Sequence, residues 1–208
     1  MTRFSFLAPL LALPALAACS STPPAPPTPV NDVIDTGAIA DAGLTLDMEA
    51  ARIAEEVDMR GDTMLLATVL PTTGSGDYAG EFTSVVNFAG GNYSTISGDT
   101  AMQIAFDSGA VSGAFTPTGW VDFDSSGSPF GDGVLSGSLA VDAMLDGSTF
   151  EGTLSGDFGV GASTTGYTID ADLDGGVAAG AGGLLGTFTG EFTGTGVTSP
   201  VGGVYYAE

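Results

Sequence analysis

The clearest pattern in this sequence is an alternation of apolar and polar residues within short segments that are separated by Gly, Asp and Ser. In residues 150–158, for example, Phe150, Leu154 and Phe158 share one side with glycines, while acids and hydroxyl residues occupy the other side. A period of two is typical of a half-buried β-strand. Eight segments fit this pattern, at residues 77–88, 99–107, 110–116, 134–142, 149–158, 166–173, 184–194 and 201–206.

The connections between these segments are short, as at Ser108-Gly109, which favours hairpins between successive strands. The sequence therefore predicts an all-β fold, namely an eight-stranded antiparallel up-and-down barrel. A two-sheet sandwich is the alternative, because strand patterning alone does not determine closure. Repeated glycines on the inward side favour the barrel, since small residues fill its taper and let the strands coil sharply.

The orientation of the apolar residues predicts a soluble barrel. A transmembrane barrel turns apolar residues outward and carries aromatic girdles at both interfaces. Here the outward positions hold Thr, Ser, Asp and Glu. The aromatic residues share the inward register, at Phe82, Phe106, Phe150, Phe158, Phe188 and Phe192. These rings are expected to leave little room for a large internal ligand.

Ahead of the barrel, residues 44–61 show a helical periodicity. Apolar residues recur at steps of three and four from Leu46 to Val57, and acids occupy the other positions. Thr45 is the predicted N-cap, and Gly61 is expected to end the helix. We predict one amphipathic helix that packs on the barrel domain, residues 62–208. A separate helix that binds a partner is the alternative.

The first residues predict a bacterial lipoprotein signal peptide. Arg3 precedes an apolar run that is too short to cross a bilayer and is interrupted by Pro9 and Pro14. Small residues then lead to Cys19, the only cysteine. This order predicts cleavage of residues 1–18 and lipidation of Cys19. An ordinary secretory signal is the alternative. By resemblance to known lipoproteins, Ser20 favours the outer membrane.

Residues 19–43 are predicted to form a stalk between the lipid and the helix. Five prolines lie within residues 23–29, and such a run favours an extended polyproline II conformation. The polar stretch that follows, with Asp32, Asp35 and Asp41, is expected to be disordered or loosely packed.

The charge balance limits what the barrel is expected to bind or catalyse. The formal net charge is −22, and residues 61–208 contain no lysine, arginine or histidine. Nucleic acid is not an expected partner, because phosphate backbones require cationic side chains. No cofactor and no catalytic activity are expected, since histidine and lysine chemistry is missing. A carboxylate-dependent glycan-processing enzyme is the distant alternative, with Asp122 and Asp124 or Glu151 and Asp157 as acid pairs.

Asp170, Asp172 and Asp174 have the opening spacing of a calcium loop, followed by Gly175. The twelfth position of that loop is Ala181, where a bidentate glutamate would be needed. On a strand, the three aspartates would instead share the outer face, which is the preferred interpretation. Weak Ca²⁺ binding at these residues is the alternative, because neighbouring carboxylates gain from a bridging cation.

The longest predicted connection, residues 117–133, contains Trp120, Phe123 and Phe130. Exposed aromatic residues at a loop tip are candidates for contact with a protein partner. The preferred alternative is that this loop folds back over the barrel end as a plug.

Three motifs occur in order along the barrel. Residues 70–80 read LPTTGSGDYAG, residues 104–113 read IAFDSGAVSG, and residues 186–190 and 200–205 read GTFTG and PVGGVY. They resemble the opening, a hairpin and the closing strands of surface lipoproteins similar to transferrin-binding protein B. The resemblance implies an eight-stranded barrel with a noncatalytic binding or surface role. Members that capture transferrin are much larger, and no transferrin-contacting residue carries over to this chain.

Taken together, these patterns predict a lipoprotein of the outer membrane, on its periplasmic or cell-surface side. Its expected partners are the membrane, through the lipid on Cys19, and a protein ligand. A structural envelope protein and a divalent-cation-binding protein are the alternatives.

Overall fold

The computed structural model describes residues 27–39, 44–194 and 196–208, so Cys19 and the predicted signal peptide lie outside the described residues. One α-helix, α1 (Met48–Thr63), precedes the strands. The strands are β1 (Ser75–Asn87), β2 (Tyr93–Ala105), β3 (Ala110–Phe123), β4 (Pro129–Asp146), β5 (Thr149–Val160), β6 (Tyr167–Val177), β7 (Leu184–Gly194) and β8 (Val197–Ala207). Short 3-10 helices lie at Val30–Asp32 and Ala179–Ala181. Within these ranges, no helix is long and apolar enough to cross a membrane.

The eight strands form a closed antiparallel barrel in sequence order. Each strand pairs with the next, and β1 pairs with β8 from Gly80 and Ala207 to Val86 and Val201. The predicted up-and-down barrel is confirmed, and the sandwich alternative is wrong. Closure by the β1–β8 pair leaves no free edge in the sheet, so every strand has two hydrogen-bonded neighbours.

The strands are mostly longer than predicted, and the largest difference lies between β3 and β4. β3 continues to Phe123 and β4 begins at Pro129, so the connection comprises residues 124–128. Pro117 does not end β3. It pairs with Gly98 while Gly119 pairs with Ser97, and a bulge takes up the residue between them.

Fully buried aromatic side chains fill the middle of the barrel. The ring centroid of Phe115 lies 5.1 Å from those of Phe82 and Tyr205, and 5.9 Å from that of Phe188. None of these four side chains is exposed to solvent. At these separations aromatic pairs attract one another beyond the gain from burial alone. We call these four residues the aromatic cluster.

Glycines on the inner face provide space for the aromatic rings. Seven inward aromatic residues have a glycine as the directly paired residue on a neighbouring strand: Phe82 with Gly98, Trp120 with Gly133, Phe150 with Gly175, Phe158 with Gly137, Tyr167 with Gly194, Phe188 with Gly203 and Tyr205 with Gly186. A Cβ atom at any of these glycines would come within 2.8 Å of the aromatic partner. The glycines therefore let these aromatic residues pack closely against the neighbouring strand, in addition to helping the strands coil.

Gly203→Ala is expected to destabilise the fold by about 1–3 kcal/mol. The added methyl group would overlap the ring of Phe188, which is fully buried and packed against Phe82 and Phe115. Gly202→Ala is the matched control, because a methyl group there meets no atom closer than 3.9 Å. Urea denaturation followed by circular dichroism measures both variants. Equal stability of the two would show that Phe188 does not need the space at Gly203.

The outer face of the barrel is covered on one side by α1 and by residues 30–39. This second core joins Ile53, Ala54 and Val57 of α1, Val30, Ile34 and Ile39 of the preceding segment, and Val85, Leu185 and Val204, which point outward from β1, β7 and β8. The predicted packing of the helix on the barrel is confirmed. For residues 30–39 the structure differs from the expected disordered or loosely packed linker, because Val30, Ile34 and Ile39 are buried against this outward-facing surface.

Both ends of α1 also differ from the prediction. Asp47, not Thr45, caps the N-terminus, and its carboxylate accepts hydrogen bonds from the amides of Glu49 and Ala50. Gly61 does not end the helix, which continues to Thr63. A side chain at Gly61 would overlap those of Asn31 and Thr36, so this glycine lets the N-terminal segment approach the helix.

Two arginines of α1 form ion pairs with carboxylates on the outer side of the barrel. Arg52 pairs with Glu49 and with Glu81 of β1, each at 2.7 Å. Burial alone would raise the pKa of Glu81, but hydrogen bonds from Arg52 and Tyr206 hold it below its usual value. Arg60 pairs with Glu208, and its guanidinium carbon lies 4.6 Å from the ring centroid of Tyr206. These are the only cationic side chains in the part of the chain that the structure describes.

Candidate functional site

One end of the barrel is open, at the hairpins that join β1 to β2, β3 to β4, β5 to β6 and β7 to β8. It contains a cavity of about 300 Å³, which we call the barrel mouth. The residues that line it are Val86, Phe88, Asn92, Tyr93, Ser94, Ile96, Trp120, Asp122, Phe130, Leu135, Phe158, Val160, Tyr167, Phe192, Gly194 and Val197.

One wall of the barrel mouth is aromatic. The rings of Tyr167 and Phe192 stack with their centroids 5.4 Å apart. Phe158 tilts against Tyr167 at 5.7 Å, and Phe88 meets Phe192 edge-on at 5.9 Å. These contacts hold the four rings in place relative to one another. We call these four residues the aromatic wall.

Trp120 lines the barrel mouth from β3. Its indole covers Gly131 and Gly133 of β4, where added Cβ atoms would lie 2.8–3.4 Å from ring atoms. The indole Nε1 is buried and has no hydrogen-bond partner among the described residues. Trp120 is the only tryptophan in the sequence, so its fluorescence reports directly on the barrel mouth.

Asp122 is the only carboxylate among the residues that line the barrel mouth. Strand alternation turns it inward with Trp120, and it accepts a hydrogen bond from the hydroxyl of Ser94 on β2. β3 and β7 are four strands apart in the ring of eight, so Asp122 lies across the barrel from Phe192. Arg52 and Arg60 are both bound to carboxylates on the outer face, so neither neutralises Asp122.

The three aromatic residues considered for partner contact do not share one surface. Trp120 faces the barrel mouth, whereas Phe123 is buried on the outer face and stacks on Tyr93 with the centroids 5.1 Å apart. Phe130, at the start of β4, is 64% exposed. The loop-tip interpretation is wrong for Trp120 and Phe123, because β3 continues through both and strand alternation places them on opposite faces.

The aromatic wall was not predicted as a site. Phe158 and Phe192 were expected inside the barrel only as filling, and Ser94 and Tyr167 were not singled out. A pattern that could have revealed the wall was present, since each ring lies close to a strand end at the same set of hairpins. In an up-and-down barrel these strand ends meet.

Asp170, Asp172 and Asp174 lie on β6 and are exposed on the outer face, as the strand interpretation predicted. Glu191 is paired with Asp170, and Glu151 is paired with Asp174, so this face is strongly acidic. Among the described residues, no group of three or more acidic side chains is arranged to hold a metal ion. The extended strand spaces alternate residues by about 6–7 Å, unlike a loop that wraps around a cation.

The two acid pairs considered for glycan processing differ in their placement. Glu151 and Asp157 are six residues apart on β5, which corresponds to roughly 20 Å along an extended strand, whereas glycosidase carboxylates lie about 5–10 Å apart. Asp124 accepts hydrogen bonds within its own hairpin from the Ser126 hydroxyl and from the amides of Ser126 and Ser128. These bonds lower the pKa of Asp124, whereas a general acid needs a raised pKa.

Comparison with known proteins gives a limited result. No protein-family model and no curated protein matches this sequence. Among solved structures, the chain is similar to intact Ap-TbpB, which comprises N and C lobes, with 17% sequence identity and a TM-score of 0.44. The similarity covers 69% of this chain and 28% of the TbpB chain, so this chain spans well under half of that protein's length.

Proposed function

We propose that this protein is a lipid-anchored lipoprotein of the outer membrane whose barrel is a noncatalytic binding module, and that an apolar group of its ligand enters the barrel mouth. The observation that carries this proposal is the barrel mouth itself. It is concave, lined mainly by aromatic and aliphatic side chains, and contains a few polar groups, which is the usual composition of a ligand site. Contacts among the four rings restrain the aromatic wall, so binding requires little further ordering of these side chains.

The entry point of the N-terminal segment supports display of the barrel mouth away from the membrane. Pro29 bridges Leu65, and Leu66 bridges Ala178, which directly follows β6. β6 runs from the barrel mouth at its first residue to the opposite end of the barrel at its last residue. A lipid on Cys19 would therefore hold the protein by the end that lies opposite the barrel mouth.

A noncatalytic role is supported by the composition of the barrel mouth. Asp122 is its single carboxylate, and the side chains that line it include no histidine, lysine, arginine or cysteine. Acid–base catalysis by carboxylates generally requires two of them with different pKa values near one bond. A single acid in an otherwise mainly apolar cavity suits recognition better than bond cleavage.

Ligand entry is tested with N-phenyl-1-naphthylamine, a neutral apolar dye, added to the unlipidated mature chain from residue 19. We expect saturable energy transfer from Trp120 to the bound dye. The double variant Val160→Phe with Val197→Phe is expected to weaken dye binding about tenfold or more, which corresponds to about 1.4 kcal/mol. Both valines line the barrel mouth and are 47% exposed, so larger side chains there occupy the space that the dye would fill.

Val134→Phe is the matched control. Val134 lies near the same end of the barrel and is 66% exposed, but it does not line the barrel mouth. Its substitution is expected to leave the dissociation constant unchanged. If the wild type does not bind the dye, or if the control and the double variant bind it equally well, the proposed binding function is wrong and a structural role in the envelope is favoured.

A further inference from the structure

The chemistry of the barrel mouth indicates which class of ligand it selects. Asp122 presents a negative charge to an otherwise largely apolar cavity, and its hydrogen-bond partner among the described residues is the neutral hydroxyl of Ser94. The carboxylate lies in a cavity lined mainly by apolar side chains, so a ligand with a positive charge gains an attraction there that an uncharged ligand lacks. An anionic ligand would meet repulsion from Asp122 and find no cationic side chain in the lining.

The aromatic wall lies across the cavity from Asp122 and favours the same kind of ligand. The faces of Phe, Tyr and Trp rings carry partial negative charge, so a cation within about 6 Å of a ring centroid is attracted to it. Phe192 lies on β7, four strands away from Asp122 on β3, while Tyr167 on β6 stacks against Phe192. A ligand in the cavity therefore has a carboxylate on one side and aromatic rings on the other.

We propose that the barrel mouth binds a small organic cation, namely an alkylated ammonium group carried on a compact apolar body. This inference rests on the proposed binding function and specifies its ligand class. The cavity of about 300 Å³ is at the lower end of the usual range for ligand sites, which fits a small molecule rather than a folded partner. The apolar body contacts the rings and aliphatic side chains, and the ammonium charge lies near Asp122.

The charge of the whole protein supports this ligand class. The formal net charge is −22, and the acidic outer face of β5, β6 and β7 adds to the negative potential around the barrel. Such a potential raises the local concentration of cations and speeds their association, and salt screens it. Binding is therefore expected to weaken as the ionic strength rises.

The test compares the binding of two compounds to the unlipidated mature chain. Phenyltrimethylammonium is the cation, and tert-butylbenzene is its uncharged isostere. Quenching of Trp120 fluorescence and competition with N-phenyl-1-naphthylamine measure the dissociation constants. We expect the cation to bind more tightly than the isostere. Asp122→Asn is expected to weaken cation binding about tenfold and to leave binding of the isostere unchanged, since asparagine keeps the shape and can still accept the hydrogen bond from Ser94.

Asp132→Asn is the matched control. Asp132 lies on β4 near the same end of the barrel but is exposed on the outer face, so the variant removes the same charge from outside the cavity. It is expected to bind the cation as the wild type does. A thermal melt of each variant verifies that the fold is kept.

Several results would overturn the inference, and they differ in what they say about the proposed function. If the dye binds but the cation does not, or if Asp122→Asn binds the cation as tightly as the wild type, cation selection is wrong while the binding module stands. If an oligolysine peptide displaces the dye and small cations do not, the occupant is a protein segment rather than a small molecule. If neither the dye nor the cation binds, both proposals fail.

Discussion

Phe115→Ala is expected to lower the free energy of unfolding by about 3–5 kcal/mol. The Phe115 side chain is fully buried, and its ring contacts those of Phe82, Phe188 and Tyr205 at centroid distances of 5.1–5.9 Å. Alanine removes these contacts and leaves a cavity at the centre of the aromatic cluster. A loss of this size is a large part of the 5–15 kcal/mol that is typical of folded domains.

Urea denaturation followed by Trp120 fluorescence and circular dichroism measures this effect. Phe130→Ala is the control, because it makes the same chemical change at a residue that is 64% exposed. The control is expected to stay within about 0.5 kcal/mol of the wild type. If both variants lose the same stability, the aromatic cluster is not the centre of the barrel core.

The strands could be predicted because their stability follows from local alternation. In β5, apolar residues and glycines alternate with acids and hydroxyl residues, and only an extended strand with one buried face accommodates that pattern. Closure of the barrel could not be derived in this way. It depends on the pairing of β1 with β8, whose residues lie more than a hundred positions apart in the sequence.

The path of β3 and β4 was mispredicted because Pro117 and the glycines that follow it are typical of loops. In the structure a bulge accommodates Pro117, and Gly131 and Gly133 serve the packing of a ring. Gly133 pairs with Trp120 and leaves the space that the indole occupies. A glycine in such a segment can indicate a loop, or it can leave space on a strand for a ring of the neighbouring strand. Only the register with that neighbouring strand distinguishes the two cases.

The segment at residues 30–39 was also not predicted to pack, although the strands contained an indication of it. Val85 with Val86 and Leu184 with Leu185 are adjacent apolar pairs, so each pair places one side chain on each face of the sheet. An apolar side chain on the outer face indicates that another segment packs against that face, as in sheets that are buried on both sides. The sequence alone does not say which segment this is.

The barrel mouth was the feature least predictable from the sequence, because its residues come from all eight strands. Asp122 and Ser94 meet only through the pairing of β2 with β3. Their position across from Tyr167 and Phe192 requires eight strands in a closed ring. The alternation in the sequence correctly predicted that Phe158 and Phe192 face inward. The cavity beside them could not be predicted, because it depends on where each strand ends.

Cys19→Ser is expected to abolish lipid labelling and outer-membrane attachment of the full chain. Cys19 is the only thiol in the sequence, and it is the residue that the proposed lipoprotein signal would present for acylation. Each buried methylene group of an acyl chain contributes about 0.8 kcal/mol, so an acylated residue with more than one chain anchors a protein stably. The formal net charge of −22 gives no electrostatic attraction to anionic lipids that would replace this anchor.

Metabolic labelling with an alkyne-tagged palmitate in a Gram-negative host, followed by membrane fractionation, measures both properties. Ser20→Ala changes the neighbouring residue and is expected to keep the label, which separates loss of the acylation site from general damage to the signal peptide. A Cys19→Ser protein that still fractionates with the outer membrane would mean that protein contacts attach it. A wild type without label would remove the lipid anchor from the proposed function, but dye binding at the barrel mouth would be unaffected, because the described fold begins after Cys19.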